Sequence, residues 1–140
     1  MRIVDNWTRE DYDLVKKKVI EHNMEQLPDH IKTANETIGF MLKDEEGIVK
    51  GGITGNMFWY HMHIDFLWVD KSLRGKGYGR ELLRKLEEFA VESECRLIYL
   101  DTFSFQAPDF YQNNGYQVFG VIEDHPEGFN QYFLQKRLTE

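Results

Sequence analysis

Two periods of hydrophobic and polar positions run along this chain, and the switches between them outline its elements. Residues 37–43 and 48–59 carry the pattern of strands, with Glu45-Glu46-Gly47 as the hairpin turn between them. Gly51, Gly52 and Gly55 in the second run point to a bulge or to close packing. A third strand spans 61–69. Period two places Met62, Ile64, Phe66 and Trp68 on one face, the expected core face, and His61, His63, Asp65, Leu67 and Val69 on the other. The period then becomes helical: Leu82, Leu83, Leu86, Phe89 and Ala90 form one stripe on a helix predicted over 77–93. Leu97 to Leu100 read as a buried strand, and the strand–helix–strand order implies a right-handed crossover with parallel pairing. Pro108 opens a short helix that ends near Asn114 with Gly115 as its cap. Residues 115–123 and 129–138 are two last strands joined by the acidic turn DHPEG.

Ahead of these, residues 2–5 read as a short opening strand. Thr8 with Asp11 resembles a capping box, heading a helix to about His22 with Leu14, Val15, Lys18 and Val19 on or near one face. Pro28 breaks the chain, and 24–36 is a loop or short second helix. The sum is an α/β fold with a mixed, mostly antiparallel central sheet of about seven strands flanked by helices, in a single domain over 1–140.

Composition adds exclusions. No apolar run approaches the roughly 18 residues of a membrane span, and the N-terminus lacks the apolar core of a secretory signal. Cys95 stands alone, so a reducing, cytoplasmic setting and a small buried thiol are expected. A net charge of −7 argues against nucleic-acid or anionic-membrane partners. That charge is uneven. Lys71, Arg74, Lys76, Arg80, Arg84 and Lys85 cluster, with Glu81 alone opposing them; Arg84 and Lys85 suit a solvated helix face.

The remaining four basic residues lie in or beside RGKGYG, Arg74 to Gly79, which stands between the third strand and the long helix. A strand running through a glycine-rich loop into a helix N-terminus offers unpaired N–H groups and partial positive charge to an anion. The spacing is not that of a P-loop, and GxGxG is not the GxGxxG of dinucleotide folds, although Asp101 closes the next strand where a ribose-binding acid would stand. His-x-His-x-Asp on one strand face lacks an evident further ligand, so no metal site is assigned.

Arg74, Gly77 and Gly79 occupy the fixed positions of [QR]-x-x-G-x-[GA], and APDFYQNNGY follows at the right separation as A-x-x-F-Y-x-x-x-G-[FY]. Together they resemble the GNAT superfamily of N-acetyltransferases, over roughly residues 37–137. The resemblance implies a splay between the fourth and fifth strands and acetyl-CoA as cosubstrate. Leu67, Trp68 and Val69 would pair with pantetheine, and the same strand edge would face the acetyl carbonyl. The loop Arg74, Gly75, Lys76, Gly77, Tyr78, Gly79 and Arg80 would hold the pyrophosphate. Tyr111 would protonate the departing thiolate, and Asp65 and His63 would serve as base or proton relay, histidine having the right intrinsic pKa. Many relatives have Asn where this chain has Ser104, so Ser104, or Gln106 in its place, is the candidate pantetheine contact. The expected activity is acetyl transfer to a primary amine of a small cationic molecule by direct attack in a ternary complex. The chain's acidity and Glu123, Asp124 and Glu127 favour such an acceptor. A non-catalytic acyl-CoA-binding module, a nicotinamide or flavin enzyme using Asp101, and a homodimer stay open.

Overall fold

The computed structural model describes residues 1–139 and resolves two compact units, residues 1–33 and the chain from Ala34 onward. The first unit is a helix, α1 (Arg9–Gln26), followed by a single 3-10 turn at Asp29–Ile31. The Thr8 hydroxyl accepts from the Asp11 N–H at 3.2 Å, and the Asp11 carboxylate accepts from the Thr8 N–H at 3.0 Å. Both halves of the capping box are therefore present. The helix runs a turn beyond His22, to the residues just before Pro28. No residue of α1 is buried, and residues 2–5 form no strand.

Among the described residues the second unit holds one sheet of six strands rather than seven, since the expected opening strand does not form. These are β1 (Glu36–Lys43), β2 (Val49–Phe58), β3 (His61–Val69), β4 (Leu97–Phe103), β5 (Gln117–Ile122) and β6 (Gln131–Arg137), in the order β1-β2-β3-β4-β6-β5. Every pairing is antiparallel except β3 with β4, which α2 (Tyr78–Glu92) connects. The crossover helix packs on β1, β2 and β3. Leu82, Leu83, Leu86 and Ala90 are buried with Ile53, Met62, Ile64, Ile98, Leu100 and Leu134. Complete burial of one such side chain contributes about 1.5–3 kcal/mol. Cys95, just past α2, is buried in the same core, and burial pushes its thiol pKa up.

The short helix α3 (Pro108–Asn113) follows β4. The Tyr116 N–H donates to Tyr111 O and the Gly115 N–H to Gln112 O, with Gly115 at φ 91°. This is the Schellman closure, and it needs the left-handed conformation that glycine adopts readily. Glu87 of α2 then ties the far side together, accepting from the Tyr116 hydroxyl at 3.0 Å and from Lys136 Nζ of β6 at 2.9 Å.

One expectation about the sheet fails in an instructive way. In the β2–β3 register Gly55 faces Ile64 and Thr54 faces Phe66, so Asp65 is an extra residue. This bulge reverses the alternation. Met62 and Ile64 are buried as expected, but Phe66 and Trp68 are 76% and 48% exposed, and Leu67 and Val69 take over on the core side.

Candidate active site

Strands β3 and β4 pair at His61–Leu97, Met62–Ile98 and His63–Tyr99, and no further. Beyond His63 and Tyr99 they part. β3 stays paired with β2 as far as Val69, and β4 with β6 as far as Phe103. The result is a splay at the expected strand pair, with one open backbone edge on each side. Leu67, Trp68 and Val69 lie on the β3 edge.

The β3 side leads directly into the glycine loop. Asp70 accepts from the backbone N–H and the hydroxyl of Ser72, the latter chiefly holding its carboxyl below the usual range. This turn starts a single 3-10 turn at Lys71–Leu73. Arg74 folds back, its Nε donating to Val69 O at 3.1 Å. Gly75 and Gly77 have φ of 78° and 87°, and Gly77 is the N-cap of α2. A Cβ built on either would meet nothing within 4 Å, so the backbone is open to an approaching group. A Cβ built on Gly79 would lie 3.7 Å from the Phe110 ring, where the loop meets α3. Tyr78 is half-buried, while Lys76 and Arg80 stand exposed.

At the apex, His63 Nδ1 lies 2.7 Å from Asp65 Oδ1, so the two sequence candidates are in direct contact. The period of two already sets the pair on one face, and the bulge falls at Asp65 itself. The Tyr99 ring stands edge-on to His63 at 4.7 Å. His61 packs against Phe58 and Tyr99 instead. Its Nε2 is buried without a hydrogen-bond partner, and burial, then the neighbouring His63, lowers its pKa. Among the described residues no group of three or more His, Cys, Asp or Glu side chains is placed to hold a metal ion.

Tyr111 is 6% exposed and packs its ring on Phe110 and Tyr116. Burial pushes its hydroxyl up to about 12, so it remains a proton donor throughout the neutral range. On the β4 side Ser104 is committed to structure: its hydroxyl accepts from the Asn130 N–H at 3.1 Å and its N–H donates to Asn130 O at 2.9 Å. Gln106 Oε1 accepts from the Thr102 hydroxyl and the Phe103 N–H, which leaves its amide N–H groups uncommitted. Two residues escaped the sequence reading of catalysis. Asp101 Oδ1 stands 3.7 Å from His63 Nε2, and Gln131 Nε2 donates to Asp101 Oδ2 at 2.9 Å. No local signal joins them, since they lie on different strands.

Residues 2–116 match the Acetyltransferase (GNAT) family model. The chain belongs to that family. Blasticidin-S acetyltransferase of Streptomyces morookaense is 40% identical over 95 residues, 67% of this chain and 70% of that protein. A crystal structure of an acetyltransferase from Bacillus cereus ATCC 14579 is 51% identical, with a TM-score of 0.95 over 98% of both chains. A Bacillus anthracis str. Ames structure, assigned as a streptothricin acetyltransferase and in complex with acetyl coenzyme A, shares the fold at 20% identity. Its TM-score is 0.64 over 80% of this chain and 69% of that one. This protein is accordingly an acyltransferase with acetyl-CoA as cosubstrate, which displaces the nicotinamide or flavin reading. Its residues fit that ligand: an open strand edge for the pantetheine amides, and a glycine loop with room for a diphosphate at a helix N-terminus. Among the described residues no helix is long and apolar enough to cross a membrane.

Proposed function

We propose that this enzyme acetylates a primary amine of a small cationic molecule by direct attack in a ternary complex. The observation that carries the reading is the His63–Asp65 pair at the apex of the splay, with Asp101 across it on β4. Acetyl-CoA supplies an activated acetyl thioester. Leu67, Trp68 and Val69 hold its amides in the manner of an added strand, and the amides of Gly75 to Arg80 hold its diphosphate. Lys71, Arg74, Lys76 and Arg80 supply the local positive field.

An acceptor amine must lose a proton before it can attack. With Asp65 holding Nδ1–H, the Nε2 of His63 is the basic nitrogen, and Asp65 fixes ring and tautomer. Tyr111 donates its phenolic proton to the leaving sulfur, and the neighbouring rings keep the hydroxyl in place. Support for a small cationic acceptor comes from the acidic lining and from relatives named for antibiotic acetylation.

The test is a panel of amines assayed by thiol release from acetyl-CoA. Cationic small molecules should be used best. A clear preference for neutral or acidic acceptors would remove the acceptor class while leaving the transferase in place.

A further inference from the structure

His63 stands between two carboxylates, and its contacts with them differ in kind. Asp65 Oδ1 at 2.7 Å is within hydrogen-bond distance of Nδ1, whereas Asp101 Oδ1 at 3.7 Å is too far from Nε2 for a direct bond. Asp101 is nonetheless fixed. It pairs with Phe133 in the β4–β6 ladder, and its other oxygen takes an N–H of Gln131. With the imidazole proton on Nδ1, a lone pair at Nε2 and a carboxylate oxygen face one another across 3.7 Å. Two acceptors so placed call for a cation carrying several N–H donors, and a primary ammonium has three.

We propose that His63 Nε2 and Asp101 Oδ1 together seat the reacting ammonium of the acceptor. This rests on the transferase reading above and extends its chemistry to a residue with no assigned role. One N–H donates to Nε2 and a second to Asp101. The first N–H bond breaks, its proton joins the Nε2 lone pair, and the electron pair stays on the amine nitrogen for attack. The positive charge moves from substrate to imidazole, where Asp65 and Asp101 flank it. Asp101 thereby selects charged primary amines, and Gln131 positions Asp101.

The test compares Asp101→Asn with the parent, using 1,5-diaminopentane, which is cationic at pH 7, and hydroxylamine, which is uncharged there. The variant is nearly isosteric and the site is part-exposed, so the fold should persist. For the diamine, kcat/KM should fall about 30-fold or more, mostly through KM, the size of a lost charge-assisted hydrogen bond. For hydroxylamine the fall should be at least about 10-fold smaller, because no ammonium needs seating and only the flanking charge on the imidazolium is lost. Calorimetry of the diamine with the CoA-bound protein should show binding lost in the variant, and Asp101→Glu should restore part of it. Gln131→Met should reproduce a weaker form of the same split. Equal losses with both acceptors, or none with either, overturn the subsite, as does a parent that uses hydroxylamine and not the diamine. A parent that acetylates neither overturns the small cationic acceptor proposed above, on which the subsite rests.

Discussion

The two strands that part at His63 and Tyr99 carry opposite chemistry. β3 runs into Lys71, Arg74, Lys76 and Arg80 and the open glycines of the loop. β4 carries Asp101 and ends against the β5–β6 connection, where Phe103 meets His125 and Ser104 meets Asn130; that connection holds Glu123, Asp124 and Glu127. A chain of net charge −7 would repel a polyanion as a whole. Screening over about 10 Å at ordinary salt makes the local field decisive instead. On the proposed reading, one cleft draws a phosphorylated cosubstrate to its β3 side and a cationic acceptor to its β4 side, with the reacting groups meeting at the apex. On the function proposed above, sign separation along two parallel strands, rather than overall charge, is what would order the ligands.

The severest way to break this division is at the apex, which serves both sides. His63→Ala should lower turnover about 10³-fold near neutrality, within the range for a lost general base. Raising the pH should restore part of the rate, because more of the amine is already neutral. A pH–rate profile decides it: a loss of the same size at every pH would mean that His63 positions groups without moving a proton.

Tyr111→Phe comes next. It keeps the ring packed on Phe110 and Tyr116 and deletes the donor. Turnover should fall about 10²-fold, while acetyl-CoA affinity and melting temperature stay close to the parent's. With the hydroxyl raised to about 12, the parent's rate should show no decline from this group until the pH approaches that value. Unchanged single-turnover chemistry in the phenylalanine variant would remove the acid from the mechanism.

On the β3 side, Gly77→Val tests the anion cradle. A φ of 87° costs a side-chain-bearing residue about 1–2 kcal/mol, while the new Cβ finds no protein atom to strike. At the Cβ, obstruction therefore falls on the ligand, while the φ strain bears on the loop itself. Acetyl-CoA should bind at least about 10-fold more weakly, roughly 1.4 kcal/mol, with the fold kept. Equal affinity by calorimetry would show that the diphosphate lies elsewhere.

How far this was readable from sequence differs between the same two sides. The β3 side is contiguous, strand to loop to helix, so its periodicity and glycine spacing announced it. The α2 stripe, the Thr8 capping box and the Gly115 closure were legible for the same reason: their partners lie within a few residues. The reversal at Phe66 and Trp68 was not, because a strict period of two has no place for an extra residue at Asp65. Trp59 and Tyr60 turn the β2–β3 hairpin with φ of 50° and 59°, where glycine or asparagine would have signalled the turn. The β4 side is assembled from distant pieces. Asp101 meets Gln131 thirty residues on, and Ser104 meets Asn130. Pairings of that span come from strand order, which local patterns do not encode.

Ser104 gives the smallest effect and the finest discrimination on the β4 side. Its position suggested a contact to pantetheine, yet its hydroxyl accepts the Asn130 N–H and so helps hold the β5–β6 connection onto the end of β4. Ser104→Ala removes that acceptor but leaves the backbone bond from Ser104 N–H to Asn130 O. The site is exposed, so water can replace the hydroxyl, and the cost should be near the low end for a hydrogen bond, about 0.5–1 kcal/mol. That corresponds to a fall in melting temperature of roughly 2–4 °C for a chain of this size. Acetyl-CoA affinity should hardly move. Gln106→Ala should lower both: it deletes the acceptor that the Thr102 hydroxyl and the Phe103 N–H use, which costs stability, and if its uncommitted amide N–H groups serve pantetheine, affinity should also drop by about 3- to 10-fold as one hydrogen bond is lost. Parallel melting curves and acetyl-CoA titrations of the two variants separate these roles. A weaker titration with Ser104→Ala and an unchanged one with Gln106→Ala would return the pantetheine contact to the serine.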